Sequence, residues 1–294
     1  MKITDIQFTI LAAGKSSRNY PHSKGLPHKS LLPFGSKKII DYILSEIILA
    51  GGKDITLIVS DQSAITAFQE NFVREKGVEE KFKSSGNQVG LKLLKNIYLP
   101  DDVKINYIIQ DKPRGLGHAI AMAAEISPDK HLGIILPDDL IIAGDGGSII
   151  KKVVDQYVAD DRGGNLFLTR EVEDVSRWGI IEDGYFKEKP ETSVSKASSI
   201  MFFILDKKVA AFIYDEMVKL ETVKSGQEIH YSDYLNHLIK EDPDHMKIRT
   251  MPLEANDLYL DCGSIEGYEK SLLFSLLNLS TFRKENLAYI RSLI

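Results

Sequence analysis

A chain of 294 residues with 43% hydrophobic content can bury a substantial core without staples, and its length fits one large domain. A single cysteine, Cys262, excludes an intrachain disulfide and a multi-cysteine zinc site, which suits a reducing compartment such as the cytoplasm. The net charge of −5 argues against general nucleic-acid binding, and no apolar stretch reaches membrane length, nor does MKITDIQFTILAAGKSSR read as a secretion signal.

Ile6 to Ala12 reads as a buried strand entering a polar loop at Gly14. Ile40, Ile43, Leu44 and Ile47 repeat at helical spacing, and Gly51-Gly52 stop that helix before the next apolar run, Ile55 to Val59. The lysine-rich stretch between Glu70 and Pro100 reads as a surface excursion or helical insertion of no evident function. Strand, helix and strand then recur over Ile105 to Ile109, His118 to Ala124 and Leu132 to Leu136. Strands this continuously apolar belong in a parallel sheet covered on both faces. The alternation predicts a doubly wound, mostly parallel, Rossmann-like α/β fold whose ligands bind beyond the carboxyl ends of the strands. From about Gly163 the pattern changes to short strands, Trp178 to Ile181 and Ser199 to Leu205. A helical stripe follows, Val209, Ile213, Met217 and Leu220, and a last helix covers Phe282 to Leu293. The expected organisation is one domain with two parts, residues 1–162 and 163–294.

Four loops carry residues suited to chemistry. In LAAGKSSR, Leu11, Ala12, Ala13 and Gly14 are small or apolar enough for successive N–H groups to approach an anion, with Arg18 adding a charge. A Walker A loop is excluded because its first glycine would fall at Thr9, inside the strand, and a dinucleotide fingerprint fails at Ser16. The second loop, KGLPHKSLLP, contains Lys29. The third, QDKPRGLGHA, leaves a strand and begins a helix. Its Gln110 suits a base edge, Gly115 and Gly117 allow close backbone approach, and His118 reads as a positioning side chain. The fourth, ILPDDLI, reads as a strand ending in Asp138 and Asp139. A further acid, Asp261 of LDCGS, precedes a helix. Paired acids at strand ends suit Mg²⁺, although each taken singly is as easily a helix cap or turn former.

These loops, together with DVSRWGII, EKP, GQEIHYSD and DCGSIEGY in that order, resemble the sugar-nucleotide pyrophosphorylase superfamily, most closely the bacterial UTP:glucose-1-phosphate uridylyltransferases. The resemblance implies transfer of UMP from UTP to glucose 1-phosphate with release of pyrophosphate. It implies Mg²⁺ on Asp138 and Asp261, nucleotide phosphates on Gly14 and Arg18, and Lys29 at the leaving pyrophosphate. Gln110 and Gly115 would read the base. Gly179, Glu188 and Lys189, with His118, would serve the sugar phosphate. It also implies small-molecule partners only and a homodimer or homotetramer. The chain departs from the family pattern at Ser16, where a glycine is usual, at Ser17 in place of a threonine, and at His28, an extra residue. Lys196, Met201 and Phe202 replace an asparagine, a glycine and an arginine near the sugar, so the bulk of Met201 bears on which sugar fits. Two other readings stand beside this one: a nucleotidyltransferase for another sugar or a non-sugar phosphate, and a non-catalytic nucleotide-sugar sensor. Trp178 reads as a packing or rim residue, and Cys262 as a small buried side chain.

Overall fold

The computed structural model describes the chain apart from residues 113, 161–162, 224–229 and 294, and apart from the side chains of 220–223. Residues 226–229 of the GQEIHYSD segment and the side chain of Leu220 therefore lie outside the described residues.

The chain opens with β1 (Ile6–Ala12), a two-residue hairpin β2 (Pro33–Phe34) and β3 (Lys37–Lys38), helix α1 (Ile39–Leu49) and β4 (Asp54–Val59). The lysine-rich excursion is helical, forming α2 (Gln62–Phe72), α3 (Lys76–Ser84) and α4 (Gln88–Lys95). Then come β5 (Lys104–Ile109), α5 (Gly115–Ile126), β6 (His131–Ile135), β7 (Asp139–Ile142) and α6 (Ile149–Ala159). The second part contains β8 (Asn165–Glu171), β9 (Gly179–Glu182), β10 (Tyr185–Glu188) and β11 (Ala197–Leu205), followed by α7 (Lys207–Val223), α8 (Tyr231–Glu241) and α9 (Pro243–Met246). It closes with β12 (Ile248–Pro252), β13 (Leu258–Asp261), α10 (Ile265–Asn278) and α11 (Arg283–Leu293).

Among the described residues the main sheet has nine strands in the order β10-β9-β11-β6-β1-β4-β5, with β8 pairing both β11 and β12. The block β6-β1-β4-β5 is parallel, as its apolar runs predict, and β11 joins it antiparallel to β6. The sheet thus crosses residue 162 without a break. Ile40, Ile43 and Ile47 of α1 and Val153 and Tyr157 of α6 cover one face, fully buried. Ile120 of α5, Val209 and Ile213 of α7 and Leu235 of α8 cover the other. Each such apolar side chain contributes about 1.5–3 kcal/mol on burial, and of the few polar residues buried in β1 and β4, Gln7 donates to Thr56 Oγ1 (3.2 Å). No described helix is long and apolar enough to cross a membrane.

The run ILPDDLI differs from its expected form. β6 ends at Ile135: Leu136 N–H still donates to Met201 O (2.7 Å), but Pro137 has no N–H to continue the ladder. Asp138 therefore stands in a turn, and Asp139 opens β7 rather than closing a strand. β7 pairs with β13 in an antiparallel ribbon that sets Asp139 opposite Asp261. This ribbon brings the two distant acidic loops together.

Candidate active site

The site lies beyond the carboxyl ends of β1, β5 and β6. Its first loop leaves β1 at Ala12. A β-carbon on Gly14 would meet nothing within 4 Å, so this backbone faces open space in the cleft. Ser16 takes a left-handed backbone, with φ +53°, at the position where a glycine is usual. Its own bonds hold it there: Ser16 Oγ accepts Lys29 N–H (2.9 Å), and its carbonyl accepts the Ser23 hydroxyl (3.1 Å). The serine thus does what a glycine cannot, tying the first loop to the second.

The second loop delivers Lys29 into the cleft almost fully buried, with Nζ 2.8 Å from Asp138 Oδ2. Arg18 Nη2 reaches the same oxygen at 3.1 Å from an exposed position. Burial opposes the charge on Asp138, but Lys29 and then Arg18 outweigh it and hold the carboxyl below its usual value. His28 is buried behind Lys29, its Nδ1 accepting Ser30 N–H (3.1 Å). Burial, then the neighbouring ammonium, lower its pKa to about 3, so it stays neutral.

Asp139 faces a different environment from its neighbour. It is 8% exposed, accepts the Tyr259 hydroxyl at 2.6 Å and Met201 N–H at 3.4 Å, and among the described residues no cation is bonded to it. Burial first, and the Asp138 charge second, raise its pKa to about 7. Asp261 accepts Gly263 N–H (2.7 Å) and the Ser264 hydroxyl (2.6 Å). A β-carbon on Gly263 would stand 3.1 Å from Asp138 Oδ2 and 3.2 Å from Asp261 Oδ1, so both carboxylates converge on the space that this glycine leaves open. Two carboxylate oxygens facing one gap are a donor set for a hard divalent cation. Among the described residues no group of three or more His, Cys, Asp or Glu is placed to hold a metal.

Two adjoining cavities share Arg18, Leu116, Leu136 and Asp138. The first, about 390 Å³, is lined by Leu11, Ala13, Gly14, Lys29, Gln110 and Gly115 among others. The second, about 580 Å³, is lined by Gly179, Glu188, Lys189 and Asp261. Of the residues expected at the site, Ala12, Gly117 and His118 line neither. Ala12 turns its methyl into the core, and His118 lies on the buried side of α5, where Gln110 Nε2 donates to its Nδ1 (3.0 Å). His118 thus orients Gln110. A β-carbon on Gly179 would fall 2.2 Å from Phe186 Cζ, so only glycine fits there. Lys189 follows β10 with φ +43°, its N–H donating to Trp178 O (3.0 Å) and its Nζ 3.6 Å from Glu188.

The departures near the sugar lie outside both cavities. Met201 has φ +38° within a β-bulge of β11, a backbone that favours glycine, but its side chain is fully buried in the core. Phe202 stacks on Phe8, and Lys196 pairs with Glu173 (2.6 Å). Trp178, Ser199, Tyr231 and Tyr259 line the second cavity and were not among the expected site residues. Arg170 lies over both Trp178 and Tyr259, with Cζ 4.6 and 4.0 Å from their ring centroids. Asn19, at the end of the first loop, donates to Cys262 O (3.0 Å) and Ser264 O (3.4 Å), joining the Arg18 loop to the Asp261 loop. The Cys262 thiol is pushed up by burial and then by the nearby acids, so it is no nucleophile.

A family model described as nucleotidyl transferase matches residues 8–272. The chain belongs to the nucleotidyl transferase family. This nucleotidyl transferase is 27% identical over 97% of its length to the UTP–glucose-1-phosphate uridylyltransferase YngB of Bacillus subtilis, covering 94% of that protein. It is 27% identical over 91% of its length to the UTP–glucose-1-phosphate uridylyltransferase of Pseudomonas aeruginosa, covering 95% of it. Its fold matches a UDP-glucose pyrophosphorylase from Acinetobacter baumannii with a TM-score of 0.80 at 24% identity, over 98% of this chain and 99% of the other. A UDP-glucose pyrophosphorylase complexed with UDP-glucose matches with a TM-score of 0.71 at 25% identity, over 91% and 97% of the two chains. The nucleotidyl transferase activity and the doubly wound fold expected from the sequence both stand.

Proposed function

We propose that this nucleotidyl transferase moves UMP from UTP to glucose 1-phosphate and releases pyrophosphate. The observation that carries the reading is the pair of adjoining cavities meeting at Arg18 and Asp138. Both volumes fall in the range of about 300–1,000 Å³ usual for small-molecule sites. The first has a backbone loop and cations for a triphosphate, with Gln110 for the base; the second has Lys189 and Glu188 for a phosphorylated sugar. UTP and glucose as the particular pair are supported by the relatives, which are UTP–glucose-1-phosphate uridylyltransferases by name. Met201 raises no steric objection to glucose, since its side chain lies in the core.

In this reading an oxygen of the sugar phosphate attacks the α-phosphorus of UTP. The bond from that phosphorus to the bridging oxygen breaks, and pyrophosphate leaves with the bonding electrons. The attacking phosphate is already ionised, so no base is needed, which suits a neutral His28 and a His118 turned to Gln110. Lys29 and Arg18 exchange their bonds to Asp138 for bonds to phosphate oxygens as charge develops there. Mg²⁺ held by Asp138 and Asp261 would supply Lewis-acid charge at the phosphate oxygens. The converging carboxylates at Gly263 support that assignment. Residues 1–162 serve the nucleotide and 163–294 the sugar phosphate, with Asp261 returning to the shared acid. A cytoplasmic dimer or tetramer completes the reading, supported by apolar surface left exposed at Leu273, Phe282 and Tyr289.

The test is pyrophosphate release with Mg²⁺ across UTP, dTTP, CTP, ATP and GTP, each with several sugar 1-phosphates. Release only with UTP and glucose 1-phosphate supports the reading. Preference for another pair overturns the substrates, and no release from folded, nucleotide-binding protein overturns catalysis.

A further inference from the structure

Residues 189–196 form a strap that leaves the end of β10 and reaches the start of β11, on the other side of β9. Pairing sets its course. Glu188 lies opposite Gly179, and Ser198 lies opposite Ile180, so the strap runs the length of β9 from its Gly179 end to its Glu182 end. At its near end stands Lys189, whose left-handed backbone persists only where the surroundings over-determine it. At its far end a single carboxylate gathers the chain. Glu182 Oε2 accepts Val194 N–H (2.8 Å), Ser195 N–H (3.2 Å) and the Ser193 hydroxyl, while Oε1 takes the Lys187 ammonium. Val194 itself is 96% exposed, so apolar packing does not hold the strap at that point. Those bonds, Lys187 and then Ser193 foremost, hold the Glu182 carboxyl down to about 2, which keeps it an ionised acceptor at neutral pH. Glu182 lines neither cavity.

We propose that Glu182 is a positioning residue for the sugar-phosphate side of the reaction, anchoring the far end of the strap so that Lys189 is held in the second cavity. The inference rests on the role given above to Lys189. A carboxylate with no substrate contact acts here through the path of the backbone. Both ends of the strap must be fixed for the lysine between Glu188 and Pro190 to keep one direction.

The experiment measures KM and kcat for glucose 1-phosphate and for UTP in wild type, Glu182→Ala, Glu182→Gln, Lys189→Ala and the Glu182→Ala/Lys189→Ala double variant. Misplacing a binding group by about 1 Å costs up to about 100-fold. Glu182→Ala should therefore raise the glucose 1-phosphate KM about 10- to 100-fold while UTP KM stays within about two-fold. Glu182→Gln keeps an acceptor for Val194 and Ser195 and should recover most of the loss. In the Lys189→Ala background, Glu182→Ala should add little, since the two act as one unit. Amide hydrogen exchange at Val194 and Ser195, slowed in wild type and fast in Glu182→Ala, reads the anchor without activity. Fully additive losses, or an unchanged glucose 1-phosphate KM in Glu182→Ala, overturn the inference alone. A neutral Lys189→Ala overturns the role of Lys189 and this inference with it. If Glu182→Ala does not fold, Ser193→Ala, which removes one of the anchoring bonds, carries the same comparison with a smaller expected loss.

Discussion

Gly263→Ala is the most direct probe of the acidic pair. The added carbon would stand 3.1 Å from Asp138 Oδ2 and 3.2 Å from Asp261 Oδ1, closer than ordinary van der Waals contact, so the oxygens must part by a few tenths of an ångström. Neither yields freely. Asp138 is held by Lys29 at 2.8 Å, and Asp261 by Gly263 N–H and the Ser264 hydroxyl at 2.7 and 2.6 Å. Mg²⁺ requires oxygens at about 2.0–2.1 Å in near-octahedral order. Such a displacement should weaken the metal about 10- to 100-fold, as loss of an outer-shell partner does, equivalent to about 1.4–2.7 kcal/mol. The backbone at Gly263 is not left-handed, so alanine adds no backbone strain, and the crowding of the two held carboxylates should lower the thermal midpoint only modestly. The assay is pyrophosphate release as a function of Mg²⁺ at saturating UTP and glucose 1-phosphate. The half-saturating Mg²⁺ should rise while kcat recovers at high metal. Unchanged Mg²⁺ dependence would refute the cradle, and a loss that no metal concentration restores would mean that the acids act in another way.

Three other perturbations test separate parts of the site. The pKa of Asp139 is raised to about 7, so between its ordinary 3.8 and about 7 the folded state binds more protons than the unfolded. Metal-free protein should therefore lose stability as pH rises through that window, and Asp139→Asn should flatten the slope in denaturant melts. A slope that survives the substitution assigns it elsewhere. Gly179→Ala drives a carbon to 2.2 Å from Phe186 Cζ, and the ring is backed by Tyr231 and Phe167 with centroids 5.3 and 6.1 Å away. The expected cost is about 1–3 kcal/mol of stability, with glucose 1-phosphate KM rising and UTP KM unmoved, as steady-state kinetics would check. Met201→Gly relieves a left-handed backbone worth about 1–3 kcal/mol but empties a buried site worth about 2–5 kcal/mol. It should melt earlier with its sugar preference intact; a changed preference would place Met201 in control of the pocket after all.

The parallel block was legible because each of its strands is a nearly continuous apolar run, with the helical spacing of α1 and the alanine-rich α5 between them. Lys29, Asp138 and Asp261 were legible as motif residues, but their mutual arrangement was not. Lys29 and Asp138 meet across 109 residues, and no local pattern records such a contact. The four-residue strands β7 and β13 are too short to show a period, so their ribbon, and with it the burial of Asp139 beside Tyr259, emerges only in three dimensions. The glycine-like backbone of Met201 could be inferred from the family pattern. Its harmlessness to the cavity could not, because the pattern records which residue stands there and not the direction of its side chain. His118 sits in a segment that lines the cleft, but its position on α5 turns it toward Gln110.

The β7–β13 ribbon also has a consequence for synthesis. The nucleotide loop, Lys29 and Asp138 are all translated before β8 begins, yet Asp261 reaches them only after β8 through β12 have been made. Until then β7 waits with an open edge beside a buried acid, and the two cations on Asp138 neutralise it in the partner's absence. A growing chain would thus gain its second carboxylate, and the Asn19 bonds that tie the first loop to it, among the last steps of its synthesis.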